Sequence, residues 1–174
     1  MKLFKLFWKL HRWIGIAISL VLVCTAVTGL MLLVKKKVAW IQPPTETGSP
    51  GQAADFVPLE TAIQAALALD LPEFQQESDV ARIDVRPARR VYKLRSVRGN
   101  REVQIDAISG QVLATGVRRS DFIERLHDGS FFGGGFHDVV MPLVALGVLF
   151  LVLTGLWIWL SPKVRRWRKQ AGKA

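Results

Sequence analysis

Two long stretches without a charged residue constrain the fold more than any other feature of this sequence. They run from Trp13 to Val34 and from Val139 to Leu160, and each is 22 residues long. A helix of that length extends about 33 Å, which matches the roughly 30 Å hydrocarbon core of a bilayer. Both stretches therefore predict transmembrane helices, and the lipid bilayer is the first expected partner.

The positive charge is concentrated beside these stretches. The chain carries a net charge of +10, yet residues 35–138 hold as many acidic as basic side chains, so the whole excess lies in the two tails. Basic residues collect on the cytoplasmic side of membrane spans. The pattern predicts cytoplasmic termini, a periplasmic central segment and a bacterial inner-membrane location, and it favours no nucleic-acid partner. The basic run Lys35-Lys36-Lys37 lies at the opposite end of the first span, where this rule does not expect it.

The segment between the spans has the pattern of a small α+β domain. Residues 42–51 are rich in Pro, Gly and Ser, which is typical of a flexible linker. Apolar residues repeat with helical spacing over 59–67, and alternation from residue 82 to 114 predicts three or four antiparallel strands. One sheet face should pack on the helix, and the other, which carries Glu102, Gln104 and Asp106, should face solvent.

No catalytic constellation appears in this domain. Residues 42–118 contain neither His nor Cys, and they hold no phosphate loop or nucleophile elbow. The single cysteine, Cys24, excludes an internal disulfide and a multi-cysteine zinc site. We therefore predict no catalytic residues and no metal site here. Whether the chain contributes to an enzyme as a subunit stays open.

Four short motifs, in order, resemble those of the PepSY-associated transmembrane (PepSY-TM) family. They are Leu10–Gly15 ("LHRWIG"), Val103–Leu113 ("VQIDAISGQVL"), Leu126–Gly133 ("LHDGSFFG") and Thr154–Trp157 ("TGLW"). The resemblance implies a PepSY-like domain between membrane helices. Larger relatives have four spans and are linked to reduction of ferric siderophores with haem b in the membrane, so the resemblance also implies haem b as a possible cofactor. PepSY domains resemble the propeptides of peptidases, which implies a possible periplasmic protein partner.

The sequence thus predicts a two-span α+β membrane protein in seven segments. These are a basic N-terminus (1–12), a first transmembrane helix (13–34), a linker (35–57), a periplasmic PepSY-like domain (58–118), a membrane-surface helix with a Gly-rich entry loop (119–138), a second transmembrane helix (139–160) and a basic tail (161–174).

The histidines belong to an internal repeat. His11 and His137 each begin a stretch of twenty residues that ends in Thr-Gly-Leu, with Gly29 in the first copy and Gly155 in the second. Because antiparallel helices place the start of one beside the end of the other, the repeat predicts Gly155 near His11 and Gly29 near His137. Such glycines would face a haem held by the histidines, or serve as close contacts between helices.

A second alignment places His127 in the role of His137. The family motif contains His127, and residues after Ser120 predict a short amphipathic helix that would hold it at the membrane surface. His11, His127 and His137 are therefore three candidate haem ligands. Because a bis-histidine haem needs two imidazoles, the protein would act as a homodimer or in a larger membrane complex.

Two functions remain open at the level of sequence. The first is a haem-b-bearing or accessory subunit of a membrane electron-transfer or iron (ferric siderophore) reduction system. The alternative is a non-catalytic, membrane-anchored periplasmic module that binds a protein or regulates a peptidase.

Overall fold

The computed structural model describes residues 2–171, except for the side chains at positions 168 and 169. The chain divides into two compact units. Within the described residues, the membrane unit consists of residues 2–29 and 125–171, and the sheet unit consists of residues 30–124.

Two long helices dominate the membrane unit. Helix α1 spans Lys2–Leu33 and helix α4 spans Met141–Ala171, with a π-helical turn over Phe136–Val140 directly before α4. Both helices are long and apolar enough to cross a membrane, and only 6% and 11% of their most apolar windows are buried. Apolar side chains that point outward all along a helix need lipid around them. The chain is a membrane protein whose helices contact the bilayer.

Small residues bring α1 and α4 together in antiparallel fashion. Gly147 of α4 lies against Ile14 and Ile18 of α1, and Gly15 of α1 lies against Leu151 of α4. Glycine lets membrane helices approach closely, because association there depends on packing rather than on the exclusion of water.

The sheet unit contains one helix and four strands. Helix α2 spans Leu59–Leu67, and the strands are β1 Val80–Arg86, β2 Val91–Ser96, β3 Arg101–Asp106 and β4 Val112–Val117. They form an antiparallel meander in the order β1-β2-β3-β4. Helix α3, Arg119–His127, follows β4. The predicted α+β fold is confirmed, and the sheet, for which three or four strands were predicted, has four.

One face of the sheet forms the apolar core with α2. Tyr92 and Leu94 of β2 pair with Ile105 and Val103 of β3, and all four side chains are buried against α2. The Tyr92 hydroxyl donates a hydrogen bond of 2.8 Å to the Val57 carbonyl, so its burial leaves no unpaired donor.

The other face of the sheet is covered, which the sequence did not predict. Glu102, Gln104 and Asp106 are at most 2% exposed. Residues 42–51, which we call the strap, lie across them. The Gln104 amide donates to the Pro44 carbonyl at 2.7 Å and accepts from the Glu46 N–H at 2.9 Å. The prediction of a solvated face is wrong, because the segment interpreted as a linker supplies backbone partners for Gln104 and Asp106, while Glu102 is paired with Lys93 and Arg118.

The close approach of the strap to the sheet explains why residue 48 is a glycine. A Cβ atom at Gly48 would lie 2.2 Å from the carbonyl oxygen of Arg90, closer than any side chain allows. Next to it, Asp106 accepts hydrogen bonds from both the N–H and the hydroxyl of Ser49. The strap is therefore held by specific contacts along its length.

Candidate functional site

His11 makes a polar contact between the two long helices. Its Nδ1 lies 2.8 Å from the Thr154 hydroxyl oxygen. That hydroxyl donates its own hydrogen to the Phe150 carbonyl, one turn earlier in α4, at 2.7 Å. Since a hydroxyl has one hydrogen, Thr154 accepts from His11, and the proton of the neutral imidazole lies on Nδ1. The Nε2 atom is then unprotonated, and it has no hydrogen-bond partner among the residues that the structure describes.

His127 makes an equivalent contact with α1. It is the last residue of α3, and its Nδ1 lies 3.1 Å from the Thr28 hydroxyl oxygen and 3.0 Å from the Thr25 carbonyl oxygen. Thr28 donates its hydrogen to the Cys24 carbonyl at 2.7 Å. A carbonyl can only accept, so His127 also carries its proton on Nδ1 and leaves Nε2 open.

A glycine lies beside each of these imidazoles. A Cβ atom at Gly155 would be 3.4 Å from Cε1 of His11, and one at Gly29 would be 3.2 Å from Cε1 of His127. Each histidine therefore rests on a Thr-Gly pair, with the hydroxyl on its nitrogen and the bare glycine against its ring edge. We call these two arrangements the His–Thr–Gly sites.

His137 lies outside these sites. Its Nδ1 bonds the Asp128 carbonyl at 2.7 Å, within the same loop, and its side chain is 47% exposed. The Asp128 side chain accepts the Ser130 N–H at 2.9 Å. Burial would raise the pKa of Asp128, but the hydrogen bonds from Ser130 lower it. His137 thus stabilises the turn into α4, and Gly29 contacts His127 instead.

The structure brings four of the five predicted residues into two places: His11 with Gly155, and His127 with Gly29. The threonines were missed as functional residues. A signal for them was present, because Thr28 and Thr154 precede the two glycines in the repeat. Their hydroxyls fix which imidazole nitrogen carries the proton, as outer partners of ligating histidines do.

The donor set discriminates between kinds of metal centre. Within residues 2–171 no three His, Cys, Asp or Glu side chains come together as a group that could hold a metal ion. A bare ion such as Zn²⁺ needs three or four protein ligands. Haem iron takes four nitrogens from its macrocycle and requires only axial ligands, for which neutral imidazole is suited. A single imidazole with an open Nε2 therefore fits haem better than a bare ion.

The comparison with protein families agrees with this architecture. The family model described as "PepSY-associated TM region" matches residues 8–174, which include both His–Thr–Gly sites and the whole sheet unit. No curated protein matches the chain. Because the match covers nearly the whole sequence, the chain belongs to the PepSY-associated TM family.

Proposed function

We propose that this protein is a haem-b-bearing subunit of a membrane electron-transfer system, in which His11 and His127 would hold haem at two depths. The observation that carries the proposal is that two different elements, α1 and the end of α3, each present an imidazole whose Nδ1 is hydrogen-bonded and whose Nε2 has no partner in the described part of the chain. A histidine that only joins helices has no need of the same tautomer and the same neighbouring glycine in both places.

The protein side chains have defined roles in this proposal. Thr154 and Thr28 hold the protons of His11 and His127 on Nδ1 and orient the rings. The neighbouring glycines leave room for the edge of each ring, because a Cβ atom there would lie 3.2–3.4 Å from Cε1. Haem b held by these imidazoles supplies one-electron transfer between ferric and ferrous iron.

The distance between the two His–Thr–Gly sites favours electron transfer across the bilayer. His11 and Gly29 lie 18 residues apart on one helix, which corresponds to about 27 Å along its axis. Two haems at these depths would carry electrons between the two faces of a bacterial inner membrane. Each site of one chain offers one imidazole, so in this proposal a second copy of the chain or another subunit would contribute a second residue that holds the haem.

Reduction of iron on the periplasmic side, as ferric siderophore, is the reaction we assign to such a system. The charge distribution supports a cytoplasmic location for both tails and hence a periplasmic location for the sheet unit. The sheet unit would then receive or present the oxidised partner. The catalytic centre itself would be the metal of the haem, and the protein would act as a component of the complex.

An absorption spectrum tests the proposal. The full chain, purified in mild detergent from haem-replete cells, should show a Soret band and a haem b pyridine haemochrome. His11→Ala and His127→Ala should each lower the haem content roughly tenfold or more, because an axial ligand is lost. His137→Ala is the matched control and should retain it. A colourless wild-type protein, or equal haem in all three variants, would overturn the proposal.

A periplasmic protein-binding module is the second candidate, and the sheet edge favours it. Strand β1 lies at the edge of the sheet, and Val85 on it is 43% exposed. An open edge can accept an extended segment of another protein. Capture of the same periplasmic protein by wild type and by His11→Ala/His127→Ala, with loss of capture on Val85→Pro, would favour this function over the first.

A further inference from the structure

A basic cavity opens in the sheet unit, and no histidine lines it. It has a volume of about 440 Å³ and lies where the strap crosses the polar face of the sheet. Five cationic side chains line it: Lys36, Arg86, Arg89, Lys93 and Arg118. A cavity of that size is large enough for a small-molecule ligand.

Two of the five cations form the floor and are already neutralised. Lys93 is 2% exposed and Arg118 is 4% exposed. Both donate to the buried Glu102 carboxylate, at 3.0 and 2.7 Å, and Arg118 also donates to Asp121 at 3.1 Å. Two positive charges meet two negative charges there, so the floor contributes little net charge.

The other three cations are not balanced. Among the residues that the structure describes, Lys36, Arg86 and Arg89 have no carboxylate within ion-pair distance, and Arg89 donates only to the Thr47 hydroxyl, at 2.9 Å. The cavity therefore carries three uncompensated positive charges. Like charges gathered in a concave site repel one another and concentrate anions from solution.

One polar atom at the cavity also has no partner. The side-chain oxygen of Gln42, which lines the cavity, is buried and has no hydrogen-bond partner in the described part of the chain. A buried polar atom left without a partner is costly. A protonated phosphate oxygen can donate to it, whereas a carboxylate at neutral pH has no hydrogen to give.

We propose that this cavity binds a phosphate group. A phosphate monoester carries about −1.5 to −2 charges at neutral pH, and the guanidinium groups of Arg86 and Arg89 have the fork geometry that matches its oxygens. The site also gives the basic run at residues 35–37 a role, because Lys36 contributes to the cavity. Lys36 follows the end of the membrane helix α1, at Leu33, by three residues. A lipid headgroup is therefore a second source of the phosphate, besides a dissolved compound.

Equilibrium dialysis of the full chain tests the site. The first arm uses discs of phosphatidylcholine and radiolabelled inorganic phosphate. Arg86→Gln should weaken binding about tenfold, as expected when one charge-assisted hydrogen bond is lost. Arg98→Gln removes the same charge from an exposed position outside the cavity and should change the affinity less than about twofold.

The second arm identifies the source of the phosphate. Discs of equal phosphatidylcholine and phosphatidic acid, whose headgroup is a phosphate monoester, are used without added phosphate, and the phosphatidic acid retained after detergent extraction is counted by mass spectrometry. Retention by wild type and Arg98→Gln but not by Arg86→Gln assigns the site to lipid headgroups, and binding in the first arm alone assigns it to dissolved phosphates. The proposal would be overturned if wild type bound neither inorganic phosphate nor the lipid, or if Arg86→Gln and Arg98→Gln weakened binding equally.

Discussion

The two units of the protein use buried polar groups in opposite ways. In the sheet unit, Glu102 accepts from Lys93, Gln104 and Arg118, so both carboxylate oxygens are engaged. In the membrane unit, His11 and His127 each have one nitrogen bonded and one open. Polar groups that fill one another's hydrogen-bonding capacity contribute to folding and its specificity. An imidazole that is held in place by one nitrogen and keeps a lone pair on the other is suited to bind a ligand.

Removal of the Glu102 charge should have the largest effect on stability. Glu102→Gln leaves Lys93 buried without its carboxylate, and breaking a buried ion pair in this way costs about 3–5 kcal/mol. The free energy of unfolding of the sheet unit, measured by pulse proteolysis of the full chain in urea, should fall by that amount. Haem content should not change if the two units differ as described.

Glu46→Gln is the matched control. Glu46 is exposed, and only its backbone N–H bonds Gln104. The change should alter the free energy of unfolding by less than about 0.5 kcal/mol. An equal loss of unfolding free energy in Glu102→Gln and Glu46→Gln would mean that the buried ion pairs of Glu102 do not stabilise the sheet unit.

Asp106 should make the sheet unit sensitive to acid. Burial would raise the pKa of Asp106, but hydrogen bonds from Ser49, Ile108 and Ser109 hold it well below its usual range. Because the folded pKa is depressed, the stabilisation is complete above the unfolded pKa of about 3.9 and is lost as the pH falls below it. Asp106→Asn should cost about 1.5–3 kcal/mol at pH 7, since these bonds go to a charged group.

The pH profile separates this effect from a general loss of packing. The free energy of unfolding of wild type should decline between pH 5 and pH 2 more steeply than that of Asp106→Asn, so that the two curves converge. Parallel curves would show that Asp106 carries no such charge-dependent stabilisation.

Loss of the Thr28 hydroxyl should have the smallest effect on stability. Thr28→Val keeps the shape of the side chain but removes one acceptor from His127, while the Thr25 carbonyl remains. Hydrogen bonds between membrane helices contribute about 0.6 kcal/mol on average and at most about 1.7 kcal/mol. The thermal transition of the helical circular dichroism should shift by a few degrees at most. Thr25→Val retains the backbone carbonyl and should shift it less; a larger shift for Thr25→Val would contradict the assigned contact.

The elements with a strong periodic signal were predictable from sequence. Absence of charge defined the two spans, alternation defined strands β1 and β3, and a high content of strand-forming residues defined β2. The contacts of the strap were not predictable, because a segment rich in Pro, Gly and Ser has the same composition whether it is a solvated linker or is hydrogen-bonded to Gln104 and Asp106. Alternation reports that a strand has two faces, but it does not say what covers the polar one.

The candidate site was predictable only in part. The repeat placed Gly155 next to His11 correctly, because both lie within regular helices whose rise is known. It placed His137 next to Gly29, where the structure has His127. The loop and π-helical turn before α4 break the helical spacing on which the alignment depended, and α3 supplies the imidazole from a different element.

The tautomers of His11 and His127 test the central claim most directly. Full chain with His137→Ala, labelled with ¹⁵N in histidine and kept haem-free in lipid at pH 8, leaves only these two imidazoles to observe by solid-state NMR. Both should show a protonated Nδ1 and an unprotonated Nε2. An Nε2–H tautomer at either residue would mean that its open nitrogen is not available to a metal, and it would contradict the account.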